Sequence, residues 1–342
     1  MAPSLKTSNR RHRLRRLPLR TALLTAILLV VCPMACTTSL APRYARPALH
    51  QMLPALAMPA LVDLKTAENG FQSGKLIGNG EEVLFEVQRC SIESLNDGRA
   101  TASVTPQDTA TTAARPMVLL VPILAGGQEL MDIVAQRLRG YGFDVAFCAR
   151  AGRALSPPQR GPELNELFRR TVLHQRMLLK WLRSTEAAPP ALRVLGISMG
   201  GIISTVLAAV DPDLNGVAIC LAGADLANLL LISSEGKVQN WRKWRQETDG
   251  ISRDSLHWEL VQSLTYEPSN FAPSVPTENV LFVSAALDTV VPRRHQTLLW
   301  EGLGRPERLD MPLGHYTAAI LLDKVIGASA EHFRAHCPQP TP

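Results

Sequence analysis

The sequence predicts an α/β fold, a mostly parallel sheet with helices on both faces and a cap-like helical insert, on three observations. First, 342 residues that are 46% hydrophobic hold ample apolar material for a core. Second, short β-rich apolar runs alternate with longer helical stretches from Met117 onwards, the pattern of strands covered by crossover helices. Third, the alternation breaks between Asp225 and Pro276, where Trp241, Trp244 and Trp258 stand among charged residues.

The elements follow in order. Gly70 to Gly80 and Glu82 to Ile92 read as two strands joined near Gly78-Asn79-Gly80, a hairpin signal, and Glu93 to Pro116 as an exposed loop. Strands are then expected at Met117 to Val121, Asp144 to Cys148, Leu192 to Ile197, Val217 to Leu221, Val280 to Ser284 and Arg308 to Met311. Helices are expected at Gln128 to Arg139, Glu163 to Arg183, Met199 to Ala209, Arg293 to Trp300 and Thr317 to Ala335. In such sheets ligands bind at the carboxyl ends of the strands. The insert, about residues 225–276, would lie over those ends, either as a substrate cap or as an embellishment whose tryptophans pack on the domain.

The formal charge of +6 suggests a nucleic-acid binder until the charges are located. Seven of the 36 Lys and Arg lie before residue 36, where there is no Asp or Glu; against 30 acidic residues the rest of the chain is nearly neutral. No basic run remains there to grip nucleic acid. Residues 1–35 have the layout of an export signal: a basic start, an apolar centre from Thr21 to Val31 and a small residue before Cys36. The apolar part, about 15 residues, is shorter than the roughly 20 that span a bilayer. Ala35-Cys36-Thr37 resembles the lipobox of bacterial lipoproteins, although Pro33 stands where those proteins usually carry Leu. Lipidation of Cys36 is the expectation, with plain secretion or lipidation of Cys32 left open. Residues 36–67, with four prolines, would be a tether, and residues 68–337 the folded domain. The protein is accordingly expected on the periplasmic side of a bacterial membrane, with a lipid anchor as its membrane contact. Cys148 and Cys220 read as buried thiols, while a Cys90–Cys337 bridge stays open. The cysteine spacing fits no metal site, and no cofactor is expected.

The chemistry centres on Arg193 to Gly201, a strand that turns sharply into a helix with Ser198 at the turn. A serine hydroxyl needs a base, and oxyanion donors nearby, to act as a nucleophile. Gly196 and Gly200 would face each other across the turn, where side chains would collide. Asp288 follows the strand Val280 to Ser284, and His315 follows the strand ending at Met311, so three side chains after strand ends can converge. Asp225, after Val217 to Leu221, is a rival acid, although helix capping explains it cheaply. His174, His257, His332 and His336 read as solvated or packed, and His295 as part of a helix.

From about Arg115 to His315 the chain resembles the serine-hydrolase branch of the α/β-hydrolase superfamily. The resemblance rests on Gly196-Ile197-Ser198-Met199-Gly200, Asp288-Thr289-Val290-Val291-Pro292 and Gly314-His315. It implies an α/β-hydrolase fold with Ser198 as nucleophile, His315 as general base and then acid, and Asp288 as the group that fixes the imidazole tautomer. The family usually has His-Gly after the third strand, whereas here Val121 is followed by Pro122-Ile123-Leu124. Counting across, Leu124 and Met199 would offer the oxyanion N–H groups. The expected function is a serine hydrolase that cleaves a small-molecule carboxylic ester, less favourably an amide or thioester, through an acyl-enzyme. The alternative is a non-catalytic envelope lipoprotein that keeps the fold to bind an apolar ligand. The sequence leaves the oligomeric state open.

Overall fold

A computed structural model describes residues 53, 55–68, 71–90, 115–124, 127–186 and 188–336. The export signal, Cys32, Cys36, Cys337 and most of the tether and of the Glu93 to Pro116 loop lie outside these residues.

The sheet has nine strands in the order β1-β2-β3-β5-β4-β6-β7-β8-β9. Five strands are short and buried along their length: β4 (Met117–Val121), β5 (Asp144–Cys148), β6 (Leu192–Ile197), β7 (Val217–Cys220) and β8 (Val280–Ala285), with only Ile197 partly open. They and the edge strand β9 (Glu307–Met311) pair in parallel. Successive side chains point to opposite faces, and each face has its own core. On one face β4 Leu119, β6 Val194 and β7 Ile219 pack with α2 (Gly161–Ser184) and α3 (Met199–Val210). On the other, β4 Leu120, β6 Leu195 and β8 Val283 pack with α1 (Gly127–Gly140) and the C-terminal helix (Leu322–Ala335).

The other three strands form an antiparallel arm: β1 (Ala60–Thr66), β2 (Gln72–Gly78) and β3 (Glu81–Gln88). β3 joins the arm antiparallel to β5. The hairpin between β2 and β3 turns on Asn79 (φ 53°) and Gly80 (φ 75°), the left-handed pair of a two-residue hairpin turn. β1 is a correction to the reading of residues 36–67 as a tether, because the end of that stretch adds a strand to the sheet.

The insert between β7 and β8 is helical, with α4 (Leu226–Ile232), α5 (Gly236–Thr248), α6 (Arg253–Ser263) and the short α7 (Pro268–Phe271). It belongs to the same compact unit as the sheet. Arg245, almost fully buried, binds it together through Asp249 at 2.7 Å and Glu259 at 2.6 Å, while Glu259 also accepts from the first N–H of α2 at 2.7 Å. After β8 come α8 (Arg293–Gly302), β9 and the C-terminal helix, here α9. The helix expected over Thr317 to Ala335 is divided, since residues Thr317–Leu321 wind as a tighter 3-10 turn before α9 begins.

Candidate active site

β6 runs straight into α3, and Ser198 is the single residue between them, with φ 57° and ψ −120°. A side-chain-bearing residue in that region costs on the order of 1–3 kcal/mol, which the surrounding packing must hold. Two glycines make the turn feasible. A Cβ on Gly196 would stand 2.2 Å from the carbonyl oxygen of Gly200, and one on Gly200 would stand 2.5 Å from that of Val121. The elbow is thereby pressed against the end of β4, from which Pro122, Ile123 and Leu124 leave.

Ser198, His315 and Asp288 meet in one hydrogen-bonded chain. His315 Nε2 lies 3.0 Å from Ser198 Oγ, and His315 Nδ1 lies 2.7 Å from Asp288 Oδ2. With Nδ1–H donating to the carboxylate, Nε2 is left to accept the serine proton. The Asp288 side chain is wholly buried, and its other oxygen accepts the N–H groups of Val290 and Val291, each at 2.8 Å. The acid is thus fixed by its own loop. That loop is fixed in turn by Gln296 of α8, a fully buried side chain that accepts from Ala285 N–H at 3.0 Å and donates to Val291 O at 2.7 Å. Its amide also lies 3.4 Å from Asp288 Oδ2. Sequence reading missed Gln296, because a glutamine on a helix gives no sign that it is buried.

The rival acid stands elsewhere. Asp225 has a left-handed backbone (φ 62°), and its carboxylate takes both contacts from Asn228, at 2.9 and 2.8 Å. It does not cap α4 through its side chain either. The half-buried Glu267 does so, accepting from the N–H groups of Asp225 at 2.8 Å and Leu226 at 2.7 Å. His295, fully buried with Nδ1 2.7 Å from Ala224 O, is a packing residue whose burial pushes its pKa down. His174 and His332 are buried as well. Cys148 and Cys220 are buried free thiols, pushed up to about 12 by burial, and so inert as nucleophiles.

Beside Ser198 opens a cavity of about 210 Å³, lined by Leu124, Met199, Ser198 and His315 among others. One wall comes from the core beneath the insert, including Leu155, Phe168, Leu229 and Val238; the opposite wall, including Met311 and Val325, comes from the core beneath α9. Almost all of the lining is apolar. Glu235 and Tyr316 are exceptions, joined by a hydrogen bond from the phenol to the carboxylate. The insert therefore does wall the cavity, through α4, Ser233, Glu235 and Val238, but its tryptophans do not. Trp241 is buried with its indole N–H on Gln159 O at 2.8 Å, and Trp258 is exposed. The insert is thus a wall of the cavity, and its Trp241 packs on the domain.

Leu124 and Met199 both reach the cavity. The Leu124 carbonyl is held from two sides, by Arg150 Nη1 at 3.1 Å and Lys237 Nζ at 3.1 Å. No cluster of His, Cys, Asp and Glu among the described residues could hold a metal, and no described helix is long and apolar enough to cross a membrane.

No protein-family profile matches the chain. It is 28% identical over 141 residues to an uncharacterized protein of Mycobacterium tuberculosis, a match covering 41% of this chain and 32% of that one. It is also 28% identical over 90 residues to an uncharacterized protein of Bacillus subtilis, covering 26% and 73%. The chain thus spans about a third of the mycobacterial relative. Among solved structures it is similar to acetyl xylan esterase 1 from Thermoanaerobacterium, with TM-score 0.55, 15% identity, and 81% of this chain and 92% of that one covered. A 2,6-dihydroxy-pseudo-oxynicotine hydrolase gives TM-score 0.54 at 13% identity, covering 80% and 72%. The α/β hydrolase GrgF from Penicillium gives 0.50 at 12%, covering 82% and 99%. The sheet, its helical layers and these likenesses define the fold: it is the α/β-hydrolase fold.

Proposed function

We propose that the protein is a serine hydrolase that cleaves carboxylic esters with apolar groups through an acyl-enzyme. The observation that carries the reading is the continuous hydrogen-bonded chain Asp288–His315–Ser198, with Ser198 on a strained turn at the mouth of an apolar cavity. Ser198 Oγ attacks the ester carbonyl carbon as its proton passes to His315 Nε2. The resulting oxyanion is met by the N–H groups of Leu124 and Met199, each such donor being worth about 2.7–4 kcal/mol in the transition state. The C–O bond to the alcohol then breaks, and the alcohol leaves with the proton from Nε2. Water gives a proton to the same nitrogen, attacks the acyl-enzyme, and releases the carboxylic acid as Ser198 recovers its hydrogen. Asp288 holds the imidazole through Nδ1 throughout and stabilises the imidazolium that forms.

The cavity supports an apolar substrate. A dry apolar cavity of about 150 Å³ holds one benzene, so this one accommodates roughly eight carbons of hydrocarbon. A fluorophosphonate probe tests the nucleophile: labelling is expected in the wild type and absent in Ser198→Ala, and labelling that persists unchanged in the variant refutes the assignment. The alternative, an apolar-ligand binder without turnover, draws on the Pro122-Ile123 departure in the oxyanion segment. Ligand binding with no turnover of p-nitrophenyl esters at any chain length would favour it.

Export and lipidation at Cys36 remain part of the proposal on sequence grounds. Palmitate labelling lost in Cys36→Ala tests them.

A further inference from the structure

The segments that carry Asp288, His315 and Leu124 leave three different strand ends, yet one turn of the insert touches all of them. Ser234 N–H donates to Thr289 O at 3.1 Å, and the hydroxyls of the two residues are 2.7 Å apart; Thr289 directly follows Asp288. The next residue, Glu235, accepts the hydroxyl of Tyr316, which directly follows His315. The Tyr316 ring meets the His315 ring edge-on, with centroids 5.5 Å apart. One residue into α5, Lys237 holds the carbonyl of Leu124 at 3.1 Å.

Helix capping alone does not account for Glu235. Its carboxylate accepts Lys237 N–H only at 3.4 Å, and an exposed Ser or Asp would cap α5 as well without the cost of burying a charge. Glu235 is nevertheless buried. The contact that uses the burial is the one to Tyr316, whose ring is largely exposed while its hydroxyl donates to the Glu235 carboxylate.

We propose that residues 234–237 are a positioning clamp for the reaction centre: Ser234 sets the Asp288 loop, Glu235 sets the His315 loop through Tyr316, and Lys237 sets the Leu124 segment. None of the three touches the reacting atoms, so they are positioning residues. The inference rests on the proposed roles of Ser198, His315, Asp288 and Leu124. Because Glu235 and Val238 also line the cavity, the insert serves as wall and clamp in one element.

The test measures kcat and KM separately on p-nitrophenyl butyrate, with thermal unfolding as a control for folding. Tyr316→Phe keeps the ring on His315 and removes only the hydroxyl. Glu235→Ala removes the acceptor, and Glu235→Gln restores one. The clamp predicts kcat lower by about tenfold in Tyr316→Phe and in Glu235→Ala, with KM within about twofold, since misplacement of reacting groups acts on the chemical step. The double variant should be no worse than the poorer single, and Glu235→Gln should recover most of the loss. Lys237→Met should lower kcat independently, so that its loss multiplies that of Tyr316→Phe. If Glu235→Ala does not fold, Tyr316→Phe and Lys237→Met carry the test. Folded variants with unchanged kcat, or losses in Tyr316→Phe and Glu235→Ala that multiply, overturn the clamp and leave the esterase reading standing. A wild type that neither turns over the ester nor takes a fluorophosphonate on Ser198 removes both.

Discussion

The parallel half of the sheet and its antiparallel arm are built on different physical terms. Strands β4 to β8 are buried on both faces, between the core under α1 and α9 and the core under α2 and α3. β1 is exposed along its whole length, and β2 and β3 bury only some of their residues. The arm's hairpin is tied to α2 by Glu81, which is 2.7 Å from Arg170 and 3.0 Å from His174. The difference bears on where Ser198 and Asp288 sit. A strand end packed on both faces, as before Ser198 and Asp288, can hold a side chain to within hydrogen-bond tolerance of another strand's loop; His315 follows the half-open edge strand β9, whereas the arm, packed on one face through Leu76, Val83, Phe85 and Val87, lends no residue to the cavity lining.

Four substitutions break or sharpen that contrast. Asp288→Asn should have the largest effect, about 10⁴-fold in kcat, because the shape survives while the imidazole is held in the wrong tautomer. Steady-state kinetics on the folded variant would show it. Gly196→Ala comes next. Its Cβ would fall 2.2 Å from the Gly200 carbonyl oxygen, so backbone must move and carry Ser198 with it; a displacement near 1 Å costs about 100-fold in rate. A high-resolution structure of the variant, or its rate of fluorophosphonate labelling, reads the displacement directly.

Gln296→Ala lies between site and scaffold. It leaves the Ala285 N–H and the Val291 carbonyl without the partners they have now, and a buried polar group left unpaired costs about 1–3 kcal/mol. Urea unfolding should register that loss, together with a lower kcat. Glu81→Gln should have the smallest effect at neutral pH and none on kcat/KM beyond about twofold, as the arm holds no part of the site. Its consequence appears in acid. The Glu81 carboxyl is held down from 4.5 to about 2, first by Arg170 and then by His174. The carboxylate therefore stabilises the fold fully above about pH 4.5, and that contribution is lost as pH falls towards 2. Unfolding followed from pH 6 to pH 2 should be steeper in the wild type than in Glu81→Gln. Equal slopes would contradict the cluster's role.

The parallel half was legible in the sequence because double burial leaves continuous apolar runs, as in Met117-Val118-Leu119-Leu120-Val121. The Ser198 elbow was legible for a related reason, since only glycine fits at positions 196 and 200. β1 was not legible. An edge strand exposed on every residue leaves no burial pattern, and the prolines before it suggest a tether. The three-residue chain at the site could be named because each member follows a strand, whereas Gln296, Ser234, Glu235 and Lys237 act through contacts made only when the insert and α8 fold back. A turn that reads Glu235-Gly236-Lys237 looks the same in sequence whether it faces water or the segments of Asp288, His315 and Leu124.

The central claim is a covalent one, and mass spectrometry of the protein quenched during turnover of an apolar p-nitrophenyl ester tests it most directly. The account predicts the mass of the acyl group on the peptide that contains Ser198, with longer accumulation when deacylation is slowed. Turnover with an acyl group carried on any other residue, or with none detectable under conditions that trap a fluorophosphonate on Ser198, would contradict it.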